Sequence, residues 1–178
     1  ASLAALHQNI EIKNFPFDSA QPDLEFLNVF RKMGISSQKK EQSLIVKQTK
    51  ALIPVEVDLK NCPDLFPVLA ALCSQSSGVS RLKGARQLIH KESNRLFKTK
   101  ELLDLCQIPN RLLEDGLEIS GCSVLQNTND IVFNPASDHR MAMAAAVMKS
   151  LGYKIKILHP EVVDKSFPEF WQMTGIQA

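Results

Sequence analysis

One pattern recurs three times along this chain and restricts its folding more than any other feature. An alanine-rich helical stretch appears as Leu3-Ala4-Ala5-Leu6, again as Leu69-Ala70-Ala71-Leu72, and again as Met143-Ala144-Ala145-Ala146. Recurrence of this kind marks a supersecondary unit that cannot bury its own apolar face and packs on its copies instead. After each stretch comes an alternating segment that reads as a strand: Ile10-Glu11-Ile12-Lys13, Val79-Ser80-Arg81-Leu82 and Tyr153-Lys154-Ile155-Lys156-Ile157. A second amphipathic helix then follows in every copy, over residues 22–33 ending at Gly34, residues 95–106, and residues 166–173 ending at Gly175. Strand-like pairs lie between the copies, 38–48 with 55–59 and 112–119 with 131–134. The order strand, helix, strand, helix, strand, strand predicts an α/β (α+β) domain in which alanine-rich helices meet at a shared centre with sheets outside. The first copy opens inside its helix at Ala1, so the expectation is an incomplete first repeat and a chain belonging to something longer.

Composition narrows the function classes. With 178 residues, 44% hydrophobic and 22% charged, the chain can bury roughly 70% of its unfolded surface as one domain. The disordered and low-complexity classes are excluded. A net charge of +2, with one Trp and one Tyr, provides neither a basic stripe nor a stacking platform, so no nucleic acid is expected and any anion binding must be local. The longest apolar stretch, around residues 141–148, lies between Arg140 and Lys149 and is too short to span a bilayer, so no membrane is expected. Cys62, Cys73, Cys106 and Cys122 form no C-x-x-C pair, which argues against a zinc site and for a reduced, cytoplasmic setting.

Four short strings carry chemistry. In Asn61-Cys62-Pro63-Asp64, Pro at a first helical position puts Asp64 in the first turn, where the helix dipole keeps a carboxylate ionised. In His90-Lys91-Glu92-Ser93-Asn94-Arg95, an approach of Arg95 to Glu92 would offer a planar guanidinium fork for a carboxylate or phosphate. In Asp138-His139-Arg140, a capping residue and Arg140 beside unpaired backbone N–H groups make a ready anion site. In Lys165-Ser166-Phe167-Pro168-Glu169, Ser and Glu at capping-box spacing set Lys165 at a further helix start. Taken singly, each is a helix cap or a solvated charge run. Together they supply four cations for a substrate with several negative charges and two carboxylates, Asp64 and Glu92, for proton transfer. No P-loop, dinucleotide fingerprint or nucleophile elbow is present.

The strings Asn61-Cys62-Pro63-Asp64-Leu65, Lys91-Glu92-Ser93-Asn94-Arg95-Leu96, Asp138-His139-Arg140-Met141-Ala142-Met143 and Lys165-Ser166-Phe167-Pro168 together resemble the 5-enolpyruvylshikimate-3-phosphate synthase family, in its order and at about its spacings. The resemblance covers essentially residues 1–178 as the C-terminal half of a two-domain enzyme. It implies an α-β prism of three βαβαββ-like repeats, the first incomplete here. It also implies transfer of the enolpyruvyl group of phosphoenolpyruvate to the 5-hydroxyl of shikimate 3-phosphate, with release of phosphate, on the route to chorismate and the aromatic amino acids.

Carried over by motif, Asp64 binds the shikimate hydroxyls and accepts a proton, and Glu92 serves the methylene carbon of phosphoenolpyruvate. Lys91 and Gln87 contact shikimate 3-phosphate, while Arg95, Arg140 and Lys165 hold phosphoenolpyruvate. The implied partners are these two substrates and the N-terminal domain of the same enzyme, in a cytoplasmic monomer that needs no cofactor and no metal. Asn94 and Ile89 stand where the family often has Asp and Arg. Because the other domain supplies the remaining contacts, this chain alone is expected to be inactive. The sister enolpyruvyl transferase acting on UDP-N-acetylglucosamine shares the architecture, but the Lys91-to-Arg95 string favours the shikimate enzyme. A non-catalytic anion-binding domain is the alternative of another class.

Overall fold

The computed structural model describes residues 1–7 and 9–177. The chain runs through α1 (Ser2–His7), β1 (Ile10–Ile12), α2 (Phe26–Lys32, entered through a 3-10 turn at Pro22–Glu25), β2 (Ser37–Lys40), β3 (Ser43–Val46) and β4 (Glu56–Asp58). There follow α3 (Phe66–Cys73), β5 (Gly78–Lys83), α4 (Arg95–Leu105), β6 (Asn110–Leu113), β7 (Gly116–Gly121), β8 (Asp130–Phe133), α5 (His139–Ser150), β9 (Lys154–Ile157) and α6 (Phe170–Thr174).

The expected unit is complete in the middle of the chain, as β4-α3-β5-α4-β6-β7. Its sheet has the order β4-β5-β7-β6, with β4 and β5 parallel across the α3 crossover and the other pairs antiparallel. The sheet β1-β3-β2 repeats the last three positions of that order, and the parallel pair β8-β9, joined through α5, repeats the first two. One expectation fails in detail. Residues 38–48 are not one strand paired with 55–59 but the hairpin β2-β3, and 112–119 likewise spans the β6-β7 turn. The segments 55–59 and 131–134 instead begin the next unit, where β4 and β8 pair with the strand after the central helix. The turn Lys40-Glu41-Gln42-Ser43 lacks the Gly, Pro, Asn or Asp that flags a turn, although Glu41 adopts a left-handed φ of +54°.

The alanine-rich helices sit in the core. Ala70, Ala71, Ala144, Ala145 and Ala146 are buried, and their small side chains let α3 pack directly on α5, with α1 against α5. Helix α4 shows the stripe its 3.6-residue period demands: Arg95, Leu96, Thr99, Leu102 and Leu103 face inward. Arg95 is the one charge in that stripe. At the end of β5, Gly84 (φ +76°) leaves no room for a Cβ, which would lie 2.4 Å from the Lys60 nitrogen. This close approach leads the chain into the 3-10 turn Arg86–His90. Among the described residues no helix is long and apolar enough to cross a membrane.

The helix expected over 166–173 starts later. Ser166 ends a 3-10 turn at Pro160–Lys165, and α6 begins at Phe170 without a side-chain cap. Phe167 precedes Pro168, a position disfavoured for helix, which delays the start. Lys165 therefore sits at the C-terminal end of a turn rather than at a helix start.

Candidate active site

Three loops deliver charged side chains to one place. Asp64 lies in the 3-10 turn Pro63–Leu65 that leads into α3, with Pro63 opening it as its fixed φ favours. Arg95 is the first residue of α4, whose N-cap Asn94 accepts the Phe97 N–H through its side chain. Arg140 is in the first turn of α5, capped by Asp138.

Arg95 is the hub. Its side chain is only 1% exposed, and its three nitrogens each bond a different carboxylate: Nε to Asp138 at 2.7 Å, Nη1 to Asp64 at 2.7 Å and Nη2 to Glu92 at 2.5 Å. The opposite charges make burial of the guanidinium tolerable, since an unpaired buried cation would carry a large desolvation cost. Asp64 in turn collects cations. Its Oδ1 also meets Lys91 Nζ at 3.4 Å, and its Oδ2 meets Arg140 Nη2 at 2.8 Å. Burial pushes the Asp64 carboxyl up, but Arg140, Arg95 and Lys91 outweigh it and hold the group below the usual carboxylate range. Asp138 follows the same pattern: burial raises it, and the hydrogen bond and charge of Arg95 bring it down. For His139, burial and then the neighbouring Arg140 lower the imidazole below its usual range.

Asp64, Lys91, Glu92, Arg95 and Arg140 are thus brought together as expected from the sequence. The remaining two residues stand apart from this network. Gln87 donates to the Lys60 carbonyl at 2.8 Å. Lys165 is exposed and makes no ion pair among the described residues, although Phe167, two residues on, lines a cavity of about 240 Å³ with Asp64, Arg140, Val68, Met143 and Phe170. The α5 N-terminus also differs from the open anion site expected there. The Asp138 side chain takes the Arg140 N–H at 3.0 Å, so a carboxylate of the protein already occupies that end of the helix. From sequence the cap of this helix is Asp138 or a neighbour; the structure assigns it to Asp138 and adds a bond to Arg95 that nothing local announces, the two residues lying 43 positions apart.

Chemically, Lys91, Arg140, Asp64 and Glu92 stand partly exposed over the buried Arg95–Asp138 pair, so an incoming polyanion meets oriented donors and proton acceptors within one network.

The comparisons with known proteins identify the family and the fold. A family model described as EPSP synthase (3-phosphoshikimate 1-carboxyvinyltransferase) matches residues 1–173. The 3-phosphoshikimate 1-carboxyvinyltransferase of Syntrophobacter fumaroxidans is 39% identical over 155 residues, covering 87% of this chain and 36% of that protein. The protein of that name from Pyrococcus furiosus is 37% identical over 170 residues, covering 94% of this chain and 40% of its own length. An EPSP synthase structure from Acinetobacter baumannii superposes with a TM-score of 0.78 at 20% identity, over 98% of this chain and 43% of that one, a likeness of fold. The chain spans about two fifths of the length of these relatives. With residues 1–173 matched by its family model, the chain belongs to the EPSP synthase family.

Proposed function

We propose that the protein containing this chain transfers the enolpyruvyl group of phosphoenolpyruvate to the 5-hydroxyl of shikimate 3-phosphate and releases phosphate. On this reading residues 1–178 form one domain, the C-terminal one of two, supplying one wall of the site in a cytoplasmic monomeric enzyme. The observation that carries it is the buried Arg95, which gathers Asp64, Glu92 and Asp138 from three distant motifs onto one guanidinium.

Addition to the enol phosphate needs a proton delivered to the methylene carbon and one taken from the hydroxyl; elimination of phosphate then removes the proton from carbon again and leaves the enol ether. Glu92, at the rim of the network with 36% of its side chain exposed, performs the carbon protonation and its reversal. Asp64 accepts the hydroxyl proton. Held by three cations it is a weak base, but two phosphorylated acids claim those same cations, and the loss of counter-charge raises its basicity as the substrates arrive. Lys91 and Gln87 serve shikimate 3-phosphate. Arg95, Arg140 and Lys165 serve phosphoenolpyruvate, holding two polyanions together against their repulsion.

The family relatives are more than twice as long as this chain, so the proposal assigns the remaining contacts to the other domain, and the 178-residue chain by itself releases no phosphate. The test is phosphate release by the full-length enzyme with both substrates, with UDP-N-acetylglucosamine as the control acceptor. Turnover with shikimate 3-phosphate alone supports the reading, and turnover only with the nucleotide sugar rejects it. Replacing Glu92→Gln should lower kcat by about 10²–10⁴-fold while far-UV circular dichroism stays unchanged. A kcat near the parent value removes Glu92 from the chemistry.

A further inference from the structure

Among the three carboxylates on Arg95, Asp138 differs in kind. Asp64 and Glu92 keep 28% and 36% of their side chains exposed, whereas Asp138 is 0% exposed. Its Oδ2 accepts from Arg95 Nε at 2.7 Å and from Ser93 Oγ at 3.0 Å, and its Oδ1 accepts the Arg140 N–H at 3.0 Å. One buried carboxylate thereby ties together the head of α4, the head of α5 and the loop bearing Lys91 and Glu92.

Resting on the reaction proposed above, we infer that Asp138 and Ser93 form a positioning pair: neither meets substrate, and together they set the plane of the Arg95 guanidinium and the place of the Lys91-Glu92 loop. The reason lies in what changes on binding. An anion that takes the Nη1 and Nη2 donors competes with Asp64 and Glu92, the two carboxylates within its reach. Nε points elsewhere, to a carboxylate that no solvent touches. Its short charged hydrogen bond survives the exchange and keeps the planar fork aligned for the incoming anion. Ser93 extends the same anchor to the loop, so that the acid Glu92 and the cation Arg95 keep a fixed separation when their mutual bond opens.

Ser93→Ala is the informative variant, because it cuts the tie to the loop and leaves the Asp138–Arg95 bond in place. In the full-length enzyme its KM for phosphoenolpyruvate should rise about tenfold with kcat within about threefold, and its thermal midpoint should stay within about 2 °C of the parent. Ser93→Thr, which keeps the hydroxyl, should recover the parent KM. Asp138→Asn remains a good helix cap but faces an amide donor toward Arg95 or toward the Arg140 N–H, and should raise the same KM about a hundredfold. A parent-like KM in Ser93→Ala, or a rise that Ser93→Thr does not recover, overturns the pair while the parent's turnover still stands. Absence of turnover in the parent enzyme rejects the reaction itself, which is a separate result.

Discussion

Two networks of alternating charge run through this molecule, and they differ in almost everything except their chemistry. On the outer face of the middle sheet, Glu56 pairs with Arg81 and Lys83, Arg81 with Glu118 at 2.8 Å, and Glu118 with Arg111 at 2.9 Å. Glu56, Arg81, Glu118 and Arg111 stand opposite one another in the register of β4, β5, β7 and β6, and Lys83 reaches Glu56 from two positions along β5, so strand pairing alone assembles the ladder. Around Arg95, by contrast, three loops separated by long stretches of chain converge on a guanidinium that water barely reaches. The ladder follows from the fold. The hub demands that the fold be correct before it can form, and it then carries a desolvation cost that only its full set of partners offsets. Counting ion pairs would rank the two alike; burial separates them.

Breaking the hub should therefore have the largest effect on the molecule. Arg95→Met removes the shared partner and leaves Asp138 buried with only a hydroxyl and a backbone N–H for company. Removing one partner of a buried ion pair costs about 3–5 kcal/mol, and urea unfolding should show a loss of that size. A loss below about 1 kcal/mol would place the hub in the same class as the surface ladder.

How far the sequence foretold this contrast depends on the range of each interaction. The central helices were legible because alanine at helical spacing reports its own environment: a residue without side-chain reach is useful where two backbones must approach. Asp64, Arg95 and Arg140 were legible as members of helix starts, which are local signals. The β2-β3 hairpin reads from sequence as one strand because its turn is made from Glu41 and Gln42, residues that carry no turn signature. Ser166 and Glu169 have the spacing that sets Lys165 at a helix start, but Pro168 postpones the helix to Phe170. The Asp138–Arg95 bond had no local trace at all. Its two ends are brought together by the packing of α4 and α5, a product of the whole fold.

Acid should sharpen the comparison next. Asp64 and Asp138 titrate in the folded state below their unfolded values of about 4, so their stabilising contribution is complete above that pH and is lost as pH falls through the lower folded values. His139 adds an earlier limb of the same sign. Its folded value lies below an unfolded value of about 6.5, so the unfolded chain takes up the proton first and stability starts to decline as pH drops through 6.5. Urea midpoints measured from pH 8 to pH 3 should be flat at the top, slope below 6.5 and fall further below 4. His139→Gln should remove the first slope and leave the second. If the first slope persists in that variant, another group is responsible for it.

The smallest effect belongs to the ladder. Glu56 and Glu118 are also held below the usual carboxylate range, Glu56 through its hydrogen bond to Lys83 and Glu118 through its hydrogen bond to Arg111. Arg111 is 70% exposed and Glu56 55% exposed, and across so wet a network water and salt share the work of screening. Glu118→Gln keeps the shape of the side chain and its place opposite Arg81 and Arg111, and removes only the charge. Its urea midpoint at moderate salt should coincide with the parent's, and any difference seen at low salt should vanish near 1 M salt, where the Debye length is about 3 Å. The effect of Arg95→Met should persist at that ionic strength, because the Arg95–Asp138 pair it breaks is 1% and 0% exposed and salt screens a buried pair far less than an exposed one. Equal salt sensitivity in the two variants would mean that burial is not what separates the networks, and the hub would then owe its arrangement to the geometry of its loops alone.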